Sequence, residues 1–163
     1  KEFITKLAKE TGLSEKYIEE NEQKRETLAN IDNGYYFGIN NADELFIQES
    51  NMIKKLAEEE ACVIVGRCAN FILKDKENVF TVFVYSQMDD KIQRVTRYYG
   101  IDEKNAEKEI KRIDKLRANH YKHYTDEDWK NPENYDICIN SKELGVEKAA
   151  QLICDLVEKR GEI

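Results

Sequence analysis

The chain has 163 residues and a mass of 19.2 kDa, which predicts one domain with a core that needs no disulfide or structural metal. Its 26 Lys and Arg against 33 Asp and Glu give a formal net charge of −7, which disfavours nucleic acid as a partner. No apolar run approaches the roughly 20 residues that cross a bilayer, so we expect no membrane partner.

The first third of the chain is predicted to be mainly helical. A first helix is indicated by apolar residues three and four positions apart, namely Phe3, Ile4, Leu7 and Ala8. Gly12 suits the end of this helix, and Ser14 can cap a second one that runs to about Glu22. Residues 28–43 are rich in Asn and Gly and predict a loop or short hairpin. The next helix, about 42–60, directs five apolar residues to the core: Leu45, Phe46, Met52, Ile53 and Leu56.

Buried strands and helices alternate in the remainder. The strands are predicted from three short apolar runs, at residues 61–66, 79–85 and 135–140. Helices are predicted at about 88–99, 103–124 and 145–159. This alternation indicates an α/β fold with a parallel sheet flanked by helices. Because the chain begins at Lys1 without Met and at once in a helical pattern, we expect a further strand to precede residue 1.

Cysteine usage bears on the cellular compartment. None of the four cysteines forms a CxxC pair, and Cys62 and Cys138 lie in apolar strand-like runs. We expect these two to be buried as small hydrophobic residues. Such usage is typical of a reducing environment, which predicts a cytoplasmic protein.

Positive charge is concentrated in residues 91–122, which hold ten Lys or Arg against five Asp or Glu. A basic segment in an acidic chain predicts contact with an anion. The alternative is a solvated helix face with charge pairs.

Arg67 follows Gly66, the residue that ends the first predicted strand. Ligands of α/β proteins bind at this edge of the sheet, and an arginine there can direct two N–H groups to a phosphate. The alternative is that Arg67 pairs with one of the many carboxylates.

Either Leu116 or Arg117 continues the apolar stripe of the predicted helix 103–124, and Arg117 lies within about 40° of Ile113 on the helical wheel, near the middle of that stripe. A buried guanidinium needs a partner, and Asp114 flanks the same face one turn earlier. The two side chains either neutralise each other or share a polar ligand in a cleft.

Arg94 and Arg97 share a face of the preceding predicted helix, and Gly100 follows them as a hinge. They are candidates for a mobile flap that closes over phosphates, or for a plain solvated face.

His120 and His123 could reach one metal ion, but no third ligand stands at a matching spacing, so no metal site is predicted.

Several segments together resemble the cytidylate-kinase-like family of nucleoside monophosphate kinases. They are VIVGRCANFIL (63–73), RVTRYYG (94–100), KRIDKLRANHYKHYT (111–125), YDICINSKELGVEKAAQLI (135–153) and, less specifically, KEFITKLAKETGLSEKYIEE (1–20). The resemblance implies a P-loop-kinase-like parallel sheet flanked by helices, with a helical lid. It also implies transfer of the ATP γ-phosphoryl group to a nucleoside monophosphate, with Mg²⁺.

The resemblance assigns roles to six residues. Arg67 would hold the monophosphate, and Arg94 and Arg97 would be the catalytic lid arginines that neutralise the phosphates in transfer. The residues that would bind the acceptor nucleotide are Arg112, Asp114 and Arg117. Phosphoryl transfer depends on such charge neutralisation and positioning.

Three functions follow from these observations. The leading hypothesis is a single kinase-like domain, residues 1–163, that phosphorylates CMP or dCMP and uses about 88–124 as its lid and acceptor-binding region. Its phosphate-binding loop is expected to precede residue 1. Because Cys68 replaces the Asp that commonly follows the glycine–arginine pair, the alternative is a non-catalytic nucleotide- or anion-binding protein of the same fold. A helical interaction protein whose segment 88–124 binds an acidic partner is a third possibility.

Overall fold

Helices dominate the computed structural model, which describes residues 2–19 and 41–161. These residues belong to two units. Unit 1 comprises the residues up to Glu77 together with Leu116–Asp128, and unit 2 comprises Asn78–Lys115 together with the residues from Trp129 onward. The loop predicted at 28–43 and the predicted helix end at Glu22 lie mostly or wholly outside the described residues.

Unit 1 is helical throughout its regular structure. Its elements are α1 (Glu2–Thr11), α2 (residues 15–19), α3 (Asn41–Glu59), α4 (Ala69–Ile72) and the C-terminal part of α6 (Glu103–Thr125). Helix α1 ends before Gly12, whose φ of +74° is the left-handed conformation that favours glycine. The Ser14 hydroxyl accepts a hydrogen bond from the backbone N–H of Tyr17 at 3.1 Å, which confirms Ser14 as the cap of the second helix.

The core of unit 1 lies where the apolar faces of its first helices meet. Its buried residues are Leu7, Ile18, Leu45, Met52 and Leu56, with Phe3, Ile4, Ala8 and Leu13 packed against them. Ile53 is also fully buried, whereas Phe46 is half-buried. The helical periodicity of the first third of the chain therefore predicted most of this core, but it did not single out Ile18 or Leu13.

The strand predicted at residues 61–66 is wrong for this structure. The segment has no regular secondary structure, and Val63 and Val65 are 94% and 86% exposed. A run of β-branched residues becomes a buried strand only where neighbouring strands accept its backbone hydrogen bonds. No described residue supplies that pairing, and the apolar side chains stay in solvent.

Unit 2 contains both strands of the described chain. Its elements are β1 (Val82–Tyr85), α5 (Met88–Tyr99), the N-terminal part of α6, a 3₁₀ turn (Pro132–Asn134), β2 (Ile137–Asn140), α7 (Ser141–Leu144) and α8 (Val146–Gly161). The predicted helices agree with α5, α6 and α8 to within about two residues. Gly100 ends α5 in the left-handed conformation at φ +67°, as the sequence indicates.

The two strands pair in parallel, as predicted. Their register runs from Val82 opposite Ile137 to Tyr85 opposite Asn140. Ile139 is buried, but Val84 is 51% exposed, so the prediction of burial on both faces for 79–85 is wrong. The described chain is thus a mostly helical α/β protein with a two-stranded parallel sheet, and the larger P-loop-kinase-like sheet is not confirmed.

Asp136 fastens the start of this strand pair. One of its carboxylate oxygens accepts hydrogen bonds from the backbone N–H and the hydroxyl of Thr81, both at 2.7 Å. Partial burial raises the pKa of Asp136, but the two Thr81 hydrogen bonds and the nearby Arg160 outweigh it and hold the pKa below its ordinary 3.8. The charged form of Asp136 therefore stabilises the folded strand pair.

The cysteines differ from expectation in their exposure. Cys62 and Cys138 are exposed, as is Cys154, and only Cys68 is buried; none is in a disulfide. Cys62 is exposed because the segment 61–66 is unpaired, and Cys138 lies on the open face of β2. Across the described residues, no helix combines the length and the apolar character that crossing a bilayer requires.

Candidate functional site

Arg67 stands in a turn of unusual backbone conformation. Gly66, Arg67 and Cys68 are consecutive left-handed residues, with φ of +74°, +55° and +55°. Glycine adopts this region freely, whereas each of the other two residues costs about 1 kcal/mol. Cys68, which precedes the first residue of α4, is buried with 4% of its surface exposed. Strain of this kind collects where a side chain must be presented in one direction, and here that side chain is Arg67.

A buried acid holds the Arg67 side chain. The guanidinium Nη1 donates to Glu49 Oε1 at 2.5 Å, and only 2% of the Glu49 side chain is exposed against 23% for Arg67. The guanidinium carbon also lies 4.5 Å from the centre of the Phe3 ring, a cation–π contact. The predicted alternative of a carboxylate partner is therefore present, and that partner is Glu49.

Glu49 was missed by sequence reasoning, although the pattern of α3 contained a signal. Glu49 falls on the same face as the buried Leu45, Met52 and Leu56, at helical spacing. An acid in an apolar stripe needs a cationic partner, because a buried charge without one costs several kcal/mol. The spacing could have identified Glu49 as paired, but not its partner 18 residues away.

The turn and the C-terminal part of α6 meet within unit 1. Asn70 Nδ2, in α4, donates to the Tyr121 hydroxyl at 2.9 Å. Burial raises the pKa of Tyr121, so the phenol stays protonated and keeps its hydrogen-bonding role. Arg117 lies one turn before Tyr121 on the same helix. Arg117 is exposed, so its predicted place on the core-facing stripe is wrong, and the buried residue beside it is Leu116.

The two histidines of α6 belong to an aromatic cluster in unit 1. Phe46 and Tyr124 stack with ring centres 3.7 Å apart, and His120 packs edge-on against both. His123 Nε2 lies 3.6 Å from an Asp43 carboxylate oxygen. No group of three or more His, Cys, Asp or Glu side chains among the described residues could hold a metal ion.

Unit 2 carries the two arginines of the predicted lid. Arg94 Nε donates to Asp90 Oδ2 at 2.9 Å, one turn earlier on α5. Arg97 is exposed, and its guanidinium carbon lies 5.3 Å from the centre of the Tyr98 ring. Tyr98 and Tyr99 are themselves 68% and 77% exposed. The end of α5 is thus an exposed surface of one cation and two aromatic rings.

Two more candidate residues of unit 2 already bind a charged neighbour. Asp114 accepts a hydrogen bond from Lys91 Nζ at 2.7 Å, a cation that sequence reasoning did not single out. Arg112 donates from Nε and Nη2 to the two carboxylate oxygens of Glu109, at 2.9 and 2.7 Å. This forked contact lowers the pKa of Glu109 and occupies the Nε and Nη2 edge of the guanidinium.

The six predicted site residues are therefore divided between the units. Arg67 and Arg117 belong to unit 1, where α4 contacts α6 through Asn70 and Tyr121. The four others, Arg94, Arg97, Arg112 and Asp114, belong to unit 2. Each unit carries cationic side chains of the type that binds phosphate oxygens.

Comparisons with known proteins place the chain in a family and identify a similar fold. The family model of the cytidylate kinase-like family matches residues 1–143. The crystal structure of an uncharacterized protein from Eubacterium ventriosum ATCC 27560 is similar, with 29% sequence identity and a TM-score of 0.69; the similarity covers 96% of this chain and 90% of that one. No significant match was found among curated proteins.

Proposed function

Because the chain belongs to the cytidylate kinase-like family, we propose that it serves the transfer of the ATP γ-phosphoryl group to a nucleoside monophosphate, CMP or dCMP. The family gives the coarse assignment, a kinase-like function on nucleotides. CMP or dCMP as the acceptor and ATP as the donor go beyond the family match and belong to the proposal. Cationic side chains in both units support it, since this reaction depends on neutralising and positioning phosphates.

We also propose that Mg²⁺ accompanies the bound nucleotide. This ion binds nucleotide phosphates through phosphate oxygens and water and needs few protein ligands. When bound, Mg²⁺ would neutralise charge on the phosphate oxygens.

Arg67 is assigned to the acceptor monophosphate. The Glu49 contact at 2.5 Å and the Phe3 ring restrict the guanidinium, and 23% of its side chain stays accessible to a ligand. An arginine held in advance loses little conformational freedom when it binds an anion, so more of the contact energy appears as affinity. The left-handed turn at 66–68 is the observation that carries the proposal.

Arg117 is assigned to the same acceptor. Its helix meets α4 at the Asn70–Tyr121 hydrogen bond, and its exposed position makes it accessible to a nucleotide. The family resemblance also assigns Asp114 and Arg112 to the acceptor, and each would give up part of its contact with Lys91 or Glu109 to bind it. Arg94 and Arg97 would neutralise the phosphate in transfer.

Calorimetric titration with CMP tests the acceptor site. We expect Arg117→Ala and Arg67→Lys each to weaken CMP binding about tenfold, because one loses a phosphate contact and the other loses the forked geometry. Lys122→Ala is the matched control, since Lys122 is an exposed cation of the same helix that pairs with Asp126 at 3.6 Å. Unchanged CMP affinity in both arginine variants would contradict the assignment, and tighter binding of UMP or AMP would change the acceptor.

A non-catalytic nucleotide-binding protein is the second candidate. Cys68 follows Arg67 where cytidylate kinases proper commonly have an Asp, and the residue is buried with 4% of its surface exposed. A neutral side chain in that place cannot act as the missing carboxylate. ADP formation measured with ATP and CMP separates the two: CMP binding without any CMP-dependent ADP supports the binding protein.

A further inference from the structure

Asp90 joins two donors at the start of α5. Its Oδ2 oxygen accepts a hydrogen bond from the Ser86 hydroxyl at 2.5 Å and another from Arg94 Nε at 2.9 Å. The side chains of Asp90 and Arg94 are 21% and 34% exposed, so the pair is partly shielded from water. Partial burial makes such a charge-assisted contact stronger than a pair on an open surface.

Asp90 contacts the guanidinium group of Arg94 at Nε, and this choice of atom determines what the rest of the group can do. A guanidinium group is planar and rigid, so fixing Nε also fixes the plane of the four N–H bonds on Nη1 and Nη2. In the described part of the chain, no hydrogen bond is made by either Nη group of Arg94. Arg112 differs, because Glu109 takes both its Nε and its Nη2. Arg94 is thus oriented through Nε, while its two Nη groups make no hydrogen bond to the described residues.

We propose that Asp90 is a positioning residue that, with Ser86, orients Arg94 so that its Nη groups bind phosphate oxygens. The inference rests on the proposed function, since it refines how the lid arginine meets the nucleotide. Asp90 itself touches no substrate. Its contribution is to reduce the rotamers that Arg94 must give up on binding a phosphate.

Charge repulsion and positioning predict opposite results when Asp90 is neutralised. A carboxylate beside an anion site repels the anion, so simple electrostatics predicts tighter phosphate binding after its removal. Positioning predicts weaker binding, because Arg94 loses its fixed orientation. The sign of the change therefore distinguishes the two effects.

The test measures binding of inorganic tripolyphosphate by calorimetry at low ionic strength. We expect Arg94→Ala to weaken binding about tenfold and Asp90→Asn about fivefold, with the double variant no weaker than Arg94→Ala alone. Ser86→Ala should give a smaller loss in the same direction. Asp89→Asn is the matched control, because Asp89 is an acid of the same helical turn that pairs with Lys142 at 2.5 Å. Melting temperatures of all variants identify any loss of folding.

Several outcomes would overturn the inference. They are unchanged or tighter binding by Asp90→Asn, additive losses in the double variant, an equal loss in Asp89→Asn, and no tripolyphosphate binding by the unaltered chain. Because this probe carries no nucleoside, its result is separate from the CMP titration. Asp90-dependent tripolyphosphate binding without binding of CMP or ATP would support the role of Asp90 and refute the proposed kinase.

Discussion

Arg67 in unit 1 and Arg94 in unit 2 are both held by a carboxylate, but by contacts of different range. Glu49 reaches Arg67 from a helix 18 residues earlier and is 2% exposed. Asp90 reaches Arg94 from the preceding turn of the same helix and is 21% exposed. Arg67 therefore depends on the packing of a core, and Arg94 depends on one helix. We therefore expect these two ion pairs of similar composition to contribute unequally to stability.

The largest expected effect comes from removing Arg67, and removal of Arg94 is the comparison. We expect Arg67→Ala to lower the free energy of unfolding by about 3 kcal/mol, since it leaves the Glu49 carboxylate buried without this cation. Arg94→Ala should cost about 0.5 kcal/mol, as is usual for ion pairs one helical turn apart. Urea unfolding checks both values. Lys76→Ala, which breaks the exposed pair with Glu58, is the control for charge loss in unit 1 and should change little. Equal losses of unfolding free energy in the two arginine variants would contradict the expected difference between the two ion pairs.

A smaller effect is expected from a substitution at Gly66, the glycine that precedes Arg67 in the left-handed turn. Gly66→Ala should cost about 1 kcal/mol of stability, because φ is +74° although no atom lies within 4 Å of the added Cβ. Gly145→Ala is matched, with φ of +79° and equally open space. We expect the two to destabilise the protein equally, and only Gly66→Ala to weaken CMP binding as well. A CMP affinity unchanged by Gly66→Ala would mean that the turn does not position Arg67 for this ligand.

The smallest effect concerns pH and lies in the strand pair of unit 2. The folded-state pKa of Asp136 is below its ordinary 3.8, so its stabilising contribution is present above that value and is lost as the pH falls through the lowered pKa. Asp136→Asn should therefore be less stable than the unaltered chain at pH 7, and the difference should shrink below about pH 4. Unfolding curves between pH 2 and 7 check this. A constant difference over that range would show that Asp136 acts without its charge.

Local pattern predicted much of the molecule. The helices α1, α3, α5, α6 and α8 follow from apolar spacing that needs no distant partner, and the parallel direction of β1 and β2 follows from the helices between them. Left-handed Gly12 and Gly100 end their helices as expected. The resemblance to the family was also found in the sequence, and the family match over 1–143 confirms it.

The failures share one cause, which is dependence on residues far apart in sequence. The apolar run 61–66 has the composition of a buried strand, yet composition cannot supply the neighbouring strand that buries it. Arg117 was placed on a buried stripe because an ideal helical wheel puts it near Ile113, and the packing of α6 buries Leu116 instead. Each prediction agreed with the local sequence, but the burial of the segment depends on the residues that pack against it in the fold.

By itself, the sequence determined the helices, their ends, the parallel strand pair and the family, because each rests on spacing within a few residues or on the order of motifs. Only the tertiary structure decided the ion pairs between segments that lie far apart in the sequence. Glu49 could pair with Arg67 only after α3 had packed against the core, and Lys91 could reach Asp114 only across two helices of unit 2. Ion pairs of this kind require two side chains to meet in space, and no pattern along one chain segment contains that distance.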